Sequence, residues 1–174
     1  MKIKSLLCAC ILALTIPLWG QNAQSPQMLA RTSQGLIQGE TTSVATSTAG
    51  NVVYAINMTI ATTALASSDV VSCTGHASVN DYDPTTYTQY ASYNDSQTVT
   101  ASVKSGSPKT ASCTVTVPYS WTLMESSTDT LALEYEIAIT SSTGVIKRHR
   151  DVVLGYVPIP LNGAITSKTI NATL

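Results

Sequence analysis

Few residues in this chain have both the type and the spacing to do chemistry. Cys73 and Cys113 form the first pair. Each sits in a segment where small or apolar residues recur at every second position, in register with the sulfur. Val71, Cys73, Ala77 and Val79 share one face of the first segment, and Ala111, Cys113, Val115 and Val117 one face of the second. Period two marks a half-buried strand. Two strands that each turn a cysteine inward are expected to join two sheets by a disulfide.

The second group is aromatic. Tyr82, Tyr87, Tyr90 and Tyr93 crowd the stretch from Asn80 to Asp95, and Trp121 follows later. Such rings could stack on sugars while Asp or Asn side chains accept hydroxyl protons. The plainer expectation is that they cap a core and point their hydroxyls to water. Asn80, Asp81 and Asp83 offer oxygen ligands for calcium, but their spacing matches no full loop motif, so no metal is expected. The third group is the basic run Lys147-Arg148-His149-Arg150. Lys147, Arg148 and Arg150 are candidates for an anion patch. The competing role for this run is a charged strand end that blocks edge-to-edge association.

Catalysis is not expected. His76 and His149 are the only histidines, and His76 falls on the outward face of the first cysteine strand. Neither Gly-x-Ser-x-Gly nor His-Glu-x-x-His occurs. Glu134 and Glu136 are neighbours on one face of one strand, whereas a glycosidase sets its two acids across a cleft. No cofactor is implied.

The elements that must position these groups read as strands. Val52, Tyr54, Ile56, Met58 and Ile60 alternate strictly with Val53, Ala55, Asn57, Thr59 and Ala61. Ser96 to Val103 predicts a strand with Val99, Ala101 and Val103 inward. Pro118 is expected to end the second cysteine strand, with Trp121 and Leu123 extending the sheet beyond it. Leu131, Leu133, Tyr135, Ile137 and Ile139 alternate in the next, and Val145 to Val157 returns as its hairpin partner. Two registers are open for that hairpin. Pairing Ile139 with Val145 sets Glu136 against Arg148 and Glu134 against Arg150. Pairing Ile139 with Ile146 matches apolar residues, and it is preferred because exposed ion pairs contribute only about 0–1 kcal/mol. Pro158 and Pro160 stop this strand or confine it to an edge, and Asn162-Gly163 turns the chain into a last strand from Ala164 to Thr173.

The chain opens with Lys2 and Lys4, then an apolar run from Leu6 to Trp19. That is the pattern of a secretory signal, too short for a membrane span. Cys8 and Cys10 lie inside the run, whereas a lipidated cysteine would follow it. Residues 1–23 are therefore read as a signal peptide. Residues 24–50 are read as a flexible leader with a possible short edge strand at Leu36-Ile37, and residues 51–174 as one domain. Loss of Lys2 and Lys4 takes the nine basic residues to seven against ten acidic ones, a net charge of about −3. That balance excludes nucleic acid as a partner, which calls for a basic surface. It gives no attraction to anionic membranes either, and no membrane insertion is expected after cleavage. Charged residues are only 11% of the chain, and Ser and Thr make up roughly a quarter, so the solvent faces carry hydroxyls instead of charges.

Seven to nine short strands at even spacing, with no helix after the leader, predict an all-β fold. The architecture resembles an antiparallel immunoglobulin-like β-sandwich with one intersheet disulfide, Cys73–Cys113. The resemblance stops at architecture. No Trp lies between the cysteines, and Ala111 stands where immunoglobulin domains carry a Tyr. The expected role is non-catalytic: structural or adhesive, in a secreted or periplasmic location, at the cell surface in one form of it. Its partner would be a protein or a glycan, and a carbohydrate-binding module is the alternative.

Overall fold

The computed structural model describes residues 44–124 and 127–174. The expected signal segment and the Leu36-Ile37 strand lie outside the described residues. Eight strands follow in order: β1 (Thr46–Ile60), β2 (Val70–Tyr82), β3 (Gln89–Thr100), β4 (Ser102–Lys104), β5 (Lys109–Leu123), β6 (Thr130–Thr140), β7 (Ile146–Pro158) and β8 (Ile165–Thr173). They form two four-stranded sheets, ordered β4-β5-β1-β8 and β3-β2-β6-β7. Among the described residues, no helix is long and apolar enough to cross a membrane.

Alternation decides which side chains meet between the sheets. Val52, Tyr54, Ile56, Met58 and Ile60 of β1 are buried against Leu131, Leu133, Tyr135, Ile137 and Ile139 of β6 and the inner rows of β2 and β5. Each fully buried aliphatic side chain stabilises by ~1.5–3 kcal/mol. With Phe absent from the chain, Tyr54, Tyr119, Trp121 and Tyr135 supply the aromatic bulk. Cys73 of β2 and Cys113 of β5 close the expected disulfide between the sheets, with Cα atoms 6.6 Å apart. Its 40-residue separation stabilises by ~4 kcal/mol through lost chain entropy in the unfolded state.

Four expectations are corrected. The sandwich is not wholly antiparallel: β8 runs parallel to β1, pairing Ile56 with Ile170. β5 already takes one edge of β1, so the chain leaving β7 crosses to the other sheet and pairs along the edge that is left. Asn162 and Gly163 secure the crossing, because Ala49 N–H donates to Asn162 Oδ1 at 2.9 Å and Gly163 N–H to the Ala49 carbonyl at 2.6 Å.

Pro118 does not end β5, which continues through it to Leu123 with Pro118 opposite Asn51. β4 covers only Thr110 to Ser112, so Pro118 lies on a free edge, where a missing N–H is tolerated. Val103 is not inward but exposed. The chain leaves β3 at Ala101, whose N–H still donates to the Val71 carbonyl of β2 at 2.8 Å, and re-enters as β4 in the other sheet.

The β6–β7 hairpin adopts neither expected register. Ile139 faces Arg148 and Thr140 faces Ile146, which leaves Lys147 as an extra residue in a bulge. The turn sets this. Ser141 N–H donates to the Val145 carbonyl, Gly144 N–H to the Ser141 carbonyl, and Gly144 takes a φ of 82°, the left-handed conformation of a three-residue loop.

Candidate functional site

The β2–β3 hairpin is far more regular than its polar sequence suggests. β2 runs to Tyr82 and β3 begins at Gln89, so only residues 83–88 form the turn. Asp83 builds it. Its Oδ1 accepts from Thr85 N–H at 2.7 Å and Thr86 N–H at 3.1 Å, and its Oδ2 accepts from the Tyr90 hydroxyl at 3.3 Å. Those donors, the two backbone amides first, hold its carboxyl below the usual carboxylate range, so it stays ionised. Tyr87 N–H donates to the Asp83 carbonyl, and Tyr87 itself sits at φ 58°. A bulky residue in the left-handed region is uncommon, and such strain gathers at binding sites.

This turn forms one wall of a cup of about 410 Å³ on the outer surface of the β3-β2-β6-β7 sheet. Tyr82 and Tyr87 come from the hairpin, and Tyr156 closes the far side from β7, opposite Ala132 of β6. All three rings are exposed, at 39%, 80% and 70% respectively. Asn80, Thr130, Asp83 and Asp129 supply the polar lining. Asp129 is largely buried, and its Oδ1 accepts from Tyr82 N–H at 3.4 Å. Among the described residues lining the cup there is no Lys, Arg or His. The volume lies within the ~300–1,000 Å³ typical of small-ligand sites.

The five predicted aromatic residues therefore separate. Tyr82 and Tyr87 line the cup. Tyr90 binds Asp83 and stands outside the lining. Tyr93 and Trp121 belong to a different place, a stack on the open side of the sandwich between β3 and β5. Trp121 lies 4.4 Å from Tyr119 and 6.0 Å from Tyr93, centroid to centroid. Its Nε1 donates to Asp95 at 2.7 Å, and the Tyr93 hydroxyl donates to the Thr122 carbonyl at 2.9 Å. These two rings flank a groove of about 520 Å³, but Trp121 itself is buried.

Sequence reasoning missed Tyr156. It fell inside the returning strand with nothing to show which face it took. Gly155 at φ 110° and the bulge opposite Leu133 and Glu134 shift the alternation there, so counting from the basic run misplaces it. The oxygen atoms considered for calcium are already engaged: Asp81 is buried and accepts from Met124 N–H at 2.7 Å, and Asp83 holds its turn.

The basic run is not gathered into one patch. Lys147, freed by the bulge, donates to both oxygens of Asp69 at 2.8 Å. That bond, followed by one from Ala66 N–H, lowers the Asp69 pKa. Arg148 and Arg150 sit on the other side of the strand, opposite Ile139 and Ile137, where Arg150 donates to the Thr173 carbonyl at 3.4 Å. His149 instead joins His76 around Glu136, each Nε2 reaching a different carboxylate oxygen, at 3.3 and 3.2 Å. Beside them Glu134 hydrogen-bonds Asp151, which raises the Glu134 pKa, and burial raises it further. Glu134, Glu136 and Asp151 place oxygens within 4.8 Å of one another. Two imidazoles stand beside that crowding.

The sequence matches no protein-family model, and comparison with curated proteins and with solved structures finds no match.

Proposed function

We propose that this chain is an exported, non-catalytic domain of immunoglobulin-like sandwich architecture, with an adhesive role at the cell surface or in the periplasm. The intersheet disulfide supports an oxidising compartment. The observation that carries adhesion over a purely structural role is the cup. Three exposed tyrosines ring one depression at the turn end of a sheet, and large aromatics left in water around a concavity mark contact surfaces.

A carbohydrate-binding module is the second reading, favoured by the amide of Asn80 and the hydroxyl of Thr130 beside those rings. A glycan array probed with the wild type and with Tyr82→Ala and Tyr87→Ala tests it. Selective glycan signals that vanish in both variants are expected. Signals that persist in both would remove the cup from glycan recognition.

A further inference from the structure

We infer that the cup takes an organic cation, a methylated or quaternary ammonium group of the choline type. The inference rests on the cup being a binding surface and adds the charge of what enters it. The charge of the lining is one-sided. Asp83 and Asp129 stand at the wall, and no basic residue lines it among those described. Asp83 is held ionised by two amide donors that also fix its position, so its field is present before any ligand arrives. An anionic ligand is repelled there, and a neutral sugar could donate hydroxyl protons to the carboxylates but is not drawn in by their charge. A cation is drawn in by them.

The rings point to the same class. Tyr82, Tyr87 and Tyr156 approach from three separate segments, the end of β2, the turn and β7. Electron-rich faces around a cation, backed by carboxylates, are the arrangement that recognises methylated ammonium groups. A quaternary ammonium has no N–H to donate, so it makes no demand on carboxylate oxygens that already accept from Thr85, Thr86, Tyr90 and Tyr82. A primary ammonium ion would need those lone pairs.

Titration of the full domain with choline, and with its tert-butyl isostere in which carbon replaces the charged nitrogen, tests the inference. Choline is expected to bind, the isostere at least roughly tenfold more weakly, and choline binding is expected to fade as salt is raised. Tyr87→Leu and Tyr156→Leu are expected to weaken choline by roughly tenfold each, while Tyr156→Phe keeps the ring face and most of the affinity. Asp83→Asn retains an oxygen that can hold the turn, so circular dichroism should be unchanged while choline weakens and the isostere does not. Equal binding of choline and isostere would overturn the charge argument and leave the cup as an apolar site. No choline binding alongside a positive glycan array would overturn the cation and leave the sugar reading standing. Silence from choline, isostere and glycans together would overturn both.

Discussion

Gly75 faces the interior of β2, beneath the ring of Tyr54. A Cβ built there would lie 2.5 Å from Tyr54 Cδ2 and 3.1 Å from Val117 Cγ2. The ring cannot step aside, because the Tyr54 hydroxyl donates to the His76 carbonyl on the neighbouring residue. Burial of that hydroxyl pushes its pKa up to about 12. The methyl group of Gly75→Ala therefore meets an anchored aromatic ring in a close-packed core. A loss of about 1–3 kcal/mol is expected, read as a lower urea midpoint at unchanged slope. A change below about 0.5 kcal/mol would mean that the ring is free to move. The inward face of this strand is legible from its sequence, since Val71, Cys73, Ala77 and Val79 announce it. The reason for glycine at the gap in that row is not, because the ring that fills it comes from β1.

At the scale of elements, β7 shows how far period and propensity reach. Its existence as the hairpin partner of β6 is legible, while Pro158 and Pro160 left open a stop or an edge, and the structure sets β7 at the edge of its sheet. Its register does not. A register is fixed by the turn and by single extra residues, and here Gly144 and the Lys147 bulge displace every pairing that charge or hydrophobic matching suggests. Glu136 consequently faces Asp151 instead of a base, and like charges gather beside two histidines. This has a consequence with pH. The raised pKa of Glu134 means the fold favours its neutral form. That contribution is fully present below the unfolded carboxylate value of about 4.3 and is lost as pH rises through the higher folded value. Glu134→Gln removes it, since the amide does not ionise. Urea denaturation at steps above about pH 4.3 should show the wild type losing stability relative to Glu134→Gln as pH rises. A constant difference between the two would show that the folded Glu134 pKa is not raised. Asp69 and Asp83 act with the opposite sign: their lowered values add stability above the unfolded carboxylate range, which is lost as pH falls through their folded values.

At the scale of the whole molecule, two layers and one bridge are written in the chain almost openly. Five alternating runs and two cysteines in phase with them suffice to specify which faces meet. The parallel β8 and the crossing at Ala101 are hidden, because alternation says which side of a strand is wet and not which neighbour it takes. The cup is hidden for the same reason. Tyr82 and Tyr87 are close in sequence and could be grouped by reading, but Tyr156 reaches them only through the order β2-β6-β7 and a bulge that alters its face. Tyr93 and Trp121, which look like part of the same aromatic cluster, are turned between the sheets by the pleat. Function on this account lies where three strands of one sheet bring their outer rows to the β2–β3 turn. Amide chemical-shift mapping of the wild-type domain during choline titration tests that most directly. Shifts confined to residues 78–87, 128–132 and 156 are predicted. Shifts centred on Tyr93 and Trp121 or on the β4-β5-β1-β8 sheet, or none at saturating choline, would contradict it.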